Sequence, residues 1–310
     1  MTSTDIGAGP PPGAGLPAAT IDLGHKARPG EAVVKAVLRF SAILSVAISF
    51  GIVVALILPV IDFFEEVPFG DFFATEGKFS VIPLVAGTLV VTALALLVAV
   101  PLGLGAAMYL SEYAGVRARK ILKPTVELLA GVPSVVYGFF AVAFVTPNLL
   151  QNLLNLEVNF TNALAAGLVL GVMIVPTIAS LAEDAMSAVP QAMRQGSLAM
   201  GANRMQTTLR VVFPAALSGI AAAVVLGMSR AIGETMIVAI AAGSQKNLSV
   251  DVREGMQTMT GRMAQIAGGE APVGSTEYNT LFAIGLLLFA ITLVVNVISI
   301  ALVRKFRQVY

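Results

Sequence analysis

The stretch VVFPAALSGIAAAVVLGMSRAIGETMIVAIAAG, residues 211–243, is almost entirely apolar yet holds Arg230 and Glu234. It exceeds the roughly 20 residues that cross a bilayer as a helix. Residues four apart share one helix face, so the guanidinium and the carboxylate are predicted to lie together. An unpaired charge at the bilayer centre costs roughly 2.5 to 3.5 kcal/mol, so such charges usually face a protein interior or a watery cavity. The pair therefore predicts a solute path. The alternative is a neutralising pair that only locks two helices together.

The composition also indicates a membrane protein. Of the 310 residues, 57% are hydrophobic and 12% are charged, against about 25% charged in soluble domains. The net charge of +1 does not point to nucleic acid. The chain has no cysteine, and its one histidine, His25, lies in a polar leader. These counts exclude a cysteine-ligated metal or thiol nucleophile and argue against a histidine-based metal or catalytic site.

Six apolar stretches are long enough to span a bilayer. Lysine and arginine cluster before the first stretch and after the second, fourth and last, and such clusters stay in the cytoplasm. The sequence thus predicts an all-α membrane protein with six transmembrane helices and both termini cytoplasmic. The stretches are residues 40–61, 81–110, 126–146, 163–182, 211–243 and 281–303. The basic residues are Lys26, Arg28, Lys35, Arg39, Arg117, Arg119, Lys120, Lys123, Arg194, Arg204, Arg210, Arg304, Lys305 and Arg307.

Residues outside these spans suggest two domains. Residues 1–32 are rich in glycine and proline and bury little apolar surface, which predicts a disordered cytoplasmic leader. Residues 33–310 form the transmembrane domain. Glycine and proline also interrupt several spans, where the helices either line a cavity or only pack tightly. The interruptions are Pro101, Gly103, Gly105, Gly131, Pro133, Gly138, Gly171, Pro176, Gly227 and Gly233.

The longest cytoplasmic loop, residues 183–210, has the pattern of two short amphipathic helices joined at Gly201. Its apolar residues Met193, Leu198, Met200 and Met205 are predicted to face a partner protein. The alternative is a helix lying on the membrane interface, although few basic residues are present to hold anionic lipid.

Within this loop the sequence resembles a known family. Gln195, Gly196 and Ser197, then Gly201, then Pro214, match the spacing of the Glu-Ala-Ala loop of ABC-importer permeases. Gln and Gly stand where that family usually has Glu and Ala. The segments LLAGVPSVVYGFF (128–140) and SRAIGETMIVAIAAG (229–243) resemble the phosphate-specific permeases, and more the PstC type than the PstA type.

The resemblance implies a type I ABC importer permease fold in the cytoplasmic cell membrane. It also implies several partners: a second, PstA-like permease, a dimer of ATP-binding subunits, an extracytoplasmic phosphate-binding protein, phosphate and membrane lipid. The family's loop docks on the ATPase, and Arg230 and Glu234 occupy positions on its phosphate path. No P-loop occurs in this chain, since Gly77 and Lys78 lack the upstream glycine and the following Ser or Thr. The chain is therefore not expected to be an enzyme, and ATP and Mg are expected on the partner ATPase.

Two alternatives stay open. Permeases for sulfate, molybdate or phosphonate share the loop and the six-span plan. An intramembrane lipid-modifying enzyme would use Arg230 and Glu234 on a headgroup, but no second buried carboxylate stands beside Glu234 and no histidine lies in a span. Whether Glu234 only positions Arg230 or acts as a gate is also open.

Overall fold

The structure, a computed structural model, describes residues 29–305, which are nearly all helical and contain no strand. The chain divides into two units, the first ending at Ile52 and the second beginning at Val53. Most of the predicted leader, residues 1–28, lies outside the described residues. Its last four positions are helical, because α1 (Pro29–Glu66) begins at Pro29, where the fixed φ of proline suits the first helical turn.

The described part of the first unit is the N-terminal portion of α1. An ion pair joins Lys35 Nζ and Glu31 Oε1 at 2.7 Å in its first turns. After these turns the helix is apolar on all sides, and its large side chains are exposed, among them Val46 and Phe50. A helix of this kind is suited to lipid or to another membrane protein rather than to water.

The second unit is built around α6 (Ala163–Ser187), which packs along α3 (Ile82–Met108) and α10 (Leu217–Ile232). In an apolar stretch of 18 residues within α6, 61% of the residues are buried inside the chain, compared with 11% in the equivalent stretch of the last span. Lipid gives helices little hydrophobic reason to associate, so membrane helices rely on small residues that allow close approach. Small residues likewise allow α3, α6 and α10 to approach one another closely.

Glycine is required at several of these contacts. A Cβ added to Gly171 on α6 would lie 2.8 Å from Val98 Cβ and 2.8 Å from the Ala95 carbonyl oxygen on α3. A Cβ added to Gly227 on α10 would lie 2.9 Å from Ile178 Cγ1 on α6. Tight packing, one of the two alternatives for these interruptions, therefore accounts for both glycines.

Five helical stretches of the described residues are long and apolar enough to cross a membrane. A sixth span results if a bent pair of helices is counted as one, which agrees with the predicted number. The five are Gly30–Glu66, Ile82–Tyr113, Ser134–Leu153, Ala163–Ser187 and Thr276–Ala301, and the pair is Arg204–Ala215 with Leu217–Ile232, bent by 72°.

Shorter helices connect the spans or form part of them. They are α2 (Phe69–Phe72), α4 (Val116–Leu129), α5 (Ser134–Phe140), α7 (Gln191–Ala199), α8 (Arg204–Thr207), α9 (Phe213–Ala215) and α11 (Met259–Gln265), and α12 (Thr276–Lys305) ends the described chain. Five π-helical segments extend some of them: Tyr109–Tyr113, Ala141–Leu153, Thr208–Val212, Val238–Ala242 and Ile266–Glu270.

Several predicted boundaries were wrong, among them those of the third, fourth and fifth spans. The third span begins at Ser134 rather than at residue 126, because the chain breaks between α4 and Pro133, the N-cap of α5. The fourth continues past residue 182 to Ser187, because Glu183 is neutralised inside the fold. The fifth is not one helix over 211–243, since it bends at Ala216 and ends before Gly233.

We predict that Gly171→Ala destabilises the protein by about 1 to 3 kcal/mol, the usual cost of overpacking, because the added methyl meets backbone and a branched side chain on α3. Gly105→Ala is the matched control: a Cβ there has nothing within 4 Å, and alanine favours a helix by roughly 0.5 to 1 kcal/mol over glycine. Thermal stability in detergent, followed by size-exclusion chromatography after heating, checks both. Equal melting temperatures for the two variants would contradict close packing at Gly171.

Candidate substrate path and coupling segment

Arg230 lies in the last turn of α10, about 20 Å along the helix from its first residue by helical rise. Its side chain is exposed on the surface of the single chain. Nη1 donates to Thr177 Oγ1 on α6 at 3.1 Å. A cation near a helix C-terminus is favoured by the exposed carbonyls there. The guanidinium is therefore held within the spanning region by a hydroxyl group of a neighbouring helix.

Glu234 does not share a helix face with Arg230, contrary to the prediction. Helix α10 ends at Ile232, Gly233 is its C-cap, and Glu234 lies in the non-helical turn before the next helical segment. The Glu234 carbonyl oxygen accepts a bond from Thr260 Oγ1 at 2.6 Å. Within residues 29–305, no ion pair joins the Arg230 guanidinium to the Glu234 carboxylate. Periodicity alone could not detect the break at glycine.

The surroundings of Arg230 suit a transient anion ligand. A guanidinium carries five N–H donors, and the bond to Thr177 uses one of them. In the part of the chain that the structure describes, no carboxylate neutralises this side chain. A planar fork of donors matches the oxygens of phosphate or sulfate. The break after Gly233 gives a discontinuous helix beside the cation, an arrangement that recurs at transporter binding sites.

The predicted two-helix loop is present as α7 and α8, joined at Gly201. Gly201 has φ +86°, a left-handed conformation that glycine adopts at little cost. Asn203 then caps α8, with Oδ1 accepting from Gln206 N at 2.8 Å. Ser197 Oγ and Thr207 Oγ1 lie 2.9 Å apart and join the two helices. We call residues 191–207 the coupling segment.

The predicted motif residues lie in or just after this segment. Gln195 and Gly196 are exposed, and Ser197 is half-buried. Pro214 follows in α9, immediately before the 72° bend that leads into α10.

Three of the four apolar residues predicted to face a partner are exposed. Leu198 is 50% exposed, Met200 89% and Met205 54%. Met193 was wrongly included, because it packs against a buried cluster that contains Val189. These three side chains are therefore accessible to a partner protein.

Arg194 attaches the coupling segment to the spanning helices. Its side chain is 11% exposed, and Nη2 lies 3.0 Å from Glu112 Oε1, whose side chain is 8% exposed. Nη2 also donates to the Met186 carbonyl oxygen at 2.7 Å, and Nη1 donates to that of Val189. One guanidinium thus joins α7 to the π-helical segment that follows α3 and to the end of α6.

Glu183 forms a second buried charged contact at the same end of α6. Its side chain is fully buried and pairs with Arg119, while Lys123 Nζ lies 2.6 Å from Oε2. Ser187 Oγ donates to the same carboxylate at 2.8 Å. Bonds to Asp184 and to Glu183 raise the pKa of Lys123. These contacts fix α4 against α6.

Sequence reasoning used Arg119, Lys123 and Arg194 only as signals of orientation and missed these contacts. Glu112 and Arg194 are 82 positions apart, and no spacing rule joins residues at that distance. One signal was available for Glu183: a carboxylate directly after an apolar span requires a cation nearby.

The fold and the site together define a helical integral membrane protein of the transporter class. Residues 99–308 match the family described as "Binding-protein-dependent transport system inner membrane component", and the chain belongs to that family. It is an inner-membrane component of a transport system of the ABC type.

Several curated relatives are similar over most of their length. The chain is 39% identical over 230 residues to the "Probable ABC transporter permease protein YqgH" of Bacillus subtilis, covering 74% of this chain and 72% of that protein. It is 35% identical over 265 residues to the "Phosphate transport system permease protein PstC 1" of Mycobacterium tuberculosis, covering 76% and 78%. It is 30% identical over 292 residues to the "Phosphate transport system permease protein PstC" of Mesorhizobium japonicum, covering 87% and 88%.

Solved structures agree on the fold. A chain of a bacterial alginate ABC transporter, in complex with an alginate-bound periplasmic protein, superposes with a TM-score of 0.66 at 16% identity, covering 90% of this chain and 96% of that one. A chain of the MetNI methionine ABC transporter superposes with a TM-score of 0.54 at 20% identity, covering 74% and 94%. The predicted ABC importer permease fold is confirmed.

We predict that Arg194→Met loosens α7 from the bundle, because it leaves Glu112 buried without its cation, a change that typically costs about 3 to 5 kcal/mol. Amide hydrogen exchange of residues 191–199 should rise at least tenfold. The double variant Arg194→Met with Glu112→Leu is the control: replacing both partners by apolar groups is often neutral, so protection should largely return. Unchanged exchange in the single variant would show that Arg194 does not hold α7.

Proposed function

We propose that this chain is the permease subunit of an ATP-driven importer and forms, with a second permease, the membrane path for inorganic phosphate. Arg230 is the observation that carries the proposal: an exposed guanidinium within the spanning region that is bonded to a hydroxyl group and not to a carboxylate. Intramembrane cations are retained where a solute or a partner uses them. A phosphate oxyanion is a ligand that fits both its charge and its donor geometry.

Phosphate is favoured over sulfate, molybdate and phosphonate by the relatives. Those at 30% to 35% identity over most of the chain bear the name phosphate transport system permease. The guanidinium alone does not separate these oxyanions, because all present oxygens at similar spacing. Uptake of labelled phosphate in the presence of excess sulfate separates them.

An intramembrane enzyme is a weaker candidate. The geometry does not place Glu234 against Arg230, so the acid–base pair that such an enzyme would use is missing from the described residues. The family and the exposed coupling segment support a permease, with ATP and Mg bound by a separate ATPase subunit.

In the proposed mechanism, an extracytoplasmic binding protein delivers phosphate and a dimer of ATPase subunits binds the coupling segment. The chemistry of phosphate is unchanged during passage. Arg230 offers charge and N–H donors, while Thr177 keeps the guanidinium in place. Among residues 29–305 no carboxylate is paired with the Arg230 guanidinium, so a passing phosphate neutralises its charge. Because the phosphate meets one cation there, it is also released readily. A path must bind its ion loosely enough to let it leave.

The break in α10 favours a role for Glu234 as a gate over a role in positioning the Arg230 side chain. The backbone oxygen of Glu234 is tied to Thr260, and the half-buried carboxylate of the same residue lies in the non-helical turn where α10 is interrupted. A carboxylate at that point repels phosphate unless its side chain is turned aside.

Arg230→Gln should lower ATP-dependent phosphate uptake by at least 100-fold, because the amide removes the charge and most of the donors. Arg230→Lys should retain intermediate activity, since it keeps the charge without the planar fork. Uptake into vesicles that contain the assembled transporter is the measurement, with complex assembly checked by size-exclusion chromatography. If the Arg230→Gln variant takes up phosphate at the wild-type rate, Arg230 does not lie on the phosphate path.

Met200→Glu should abolish capture of the ATPase subunit, because it places a charge at the most exposed of the three accessible apolar side chains of the coupling segment. Val250→Glu is a matched control: Val250 is 87% exposed, similar to the 89% of Met200, but lies in the loop at the other end of α6. Co-purification from membranes that express all subunits is the measurement. Equal loss of the ATPase in both variants would contradict a docking role for this surface.

A further inference from the structure

A cavity of about 760 Å³ lies between α11 and the loop that follows the π-helical segment Val238–Ala242. This loop sits at the N-terminal end of α6, where the Ala163 and Leu164 amides donate to the carbonyl oxygens of Glu254 and Val252 at 3.0 and 2.9 Å. The coupling segment contacts the opposite end of α6. With 25 residues in α6, the two ends are about 37 Å apart. The cavity therefore opens at the end of the bundle remote from the proposed ATPase contact.

The lining of this cavity is cationic and rich in hydrogen-bonding groups. Its side chains are those of Lys78, Ser244, Lys246, Gln257, Arg262 and Gln265. Three of the described lining residues are cations and none is a carboxylate. One of the cations, Lys78, is exposed and pairs with Glu277. Lys246 joins none of the ion pairs found among residues 29–305, so its charge favours an anion.

Lys246 is held at the cavity wall by the backbone. Nζ donates to the carbonyl oxygens of Gly77 and Lys78 at 2.9 and 2.8 Å. An ammonium has three donors, so one is left for a ligand. Burial, and then the charge of Arg262, lower the pKa of Lys246 to about 8. A bound anion would offset both the burial and the like charge.

The amide side chains form a chain of bonds along the wall. Gln257 Nε2 donates to Gln265 Oε1 at 2.6 Å, and Gln265 Nε2 donates to Ser244 Oγ at 2.5 Å. This order of donors leaves the Ser244 hydroxyl hydrogen at the end of the chain, where it can donate. A fixed ammonium and a hydroxyl group that line the same concave space suit a tetrahedral oxyanion better than a flat protein surface.

We propose that this cavity is a second oxyanion subsite, which holds phosphate at the end of the bundle opposite the coupling segment before it moves on to Arg230. The identity of the anion rests on the function proposed above, whereas the cationic character of the site does not. Two separated sites of modest affinity allow an ion to enter and to leave.

Protection of Lys246 from acylation tests the subsite directly. At pH 8 an amine of pKa about 8 is roughly half deprotonated, whereas an ordinary lysine of pKa about 10.4 is less than 1% deprotonated. The full-length protein in lipid nanodiscs is treated with N-hydroxysuccinimidyl acetate, and acetylation of each lysine is followed by mass spectrometry. Inorganic phosphate at 10 mM should slow acetylation of Lys246 at least threefold relative to sodium chloride of equal ionic strength. The rate at exposed Lys120, on α4, should not change. Equal rates at Lys246 in the two salts would overturn the proposal.

Uptake by variants gives an independent measurement. Lys246→Gln should slow phosphate uptake by the assembled transporter about tenfold at low ionic strength, since a focused positive field raises local anion concentration by that order. Lys246→Arg should retain most of the activity. Arg253→Gln is the matched control: Arg253 lies on the same loop, pairs with Asp251 at 2.6 Å and does not line the cavity. Its uptake should equal that of the wild type.

The outcomes separate this proposal from the proposed function. Protection of Lys246 by phosphate in a protein that transports no phosphate would support the subsite and refute the function. Phosphate uptake by the wild type with no protection of Lys246 would refute the subsite alone. If Lys246→Gln weakens binding of the delivery protein while phosphate gives no protection, the cations contact an acidic protein surface, and the subsite is refuted.

Discussion

Close packing on α6 is the constraint on which the rest of the structure depends. Inside a lipid bilayer, apolar helices gain little by leaving their surroundings, so their association relies on contact at short range. Gly171 brings α6 against α3, and Gly227 brings α10 against α6. These contacts decide where Thr177 stands beside Arg230. They also present the carbonyl of Met186, near the end of α6, to Arg194.

The two arginines that bond to α6 are held in opposite ways. Arg194 is buried, paired with Glu112 and bonded to backbone carbonyls, so its charge is fully compensated. Arg230 is exposed and has only a hydroxyl group from a neighbouring helix among the bonds described. Breaking a buried ion pair has a high free-energy cost, so Arg194 holds α7 in a fixed position. Arg230 keeps its charge and most of its donors for a ligand.

Hydropathy and basic flanks were enough to predict an all-helical membrane protein with six spans, the number found among the described residues when the bent pair is counted as one. The amphipathic pattern of residues 183–210 was enough to predict two short helices joined at Gly201. These patterns could not predict the interruption of α10, because glycine within an apolar run is compatible with both a continuous and a broken helix. The pairing of Arg230 with Glu234 failed for that reason. The contact of Arg194 with Glu112 joins residues 82 positions apart and depends on tertiary packing. The side chains of the cationic cavity likewise come from segments as distant as Lys78 and Lys246.

Helix α6 is bonded at both of its ends, and this has a mechanical consequence. At one end its first amides hold the loop that carries Glu254, and at the other its last carbonyls hold Arg194. Arg194 therefore ties any displacement of α7 to the last turn of α6. Pro176 lies inside α6, and a proline there removes a helical hydrogen bond, so the two halves of α6 can tilt by different amounts. Motion started at one membrane surface reaches the other through a helix that has a point of bending near its middle.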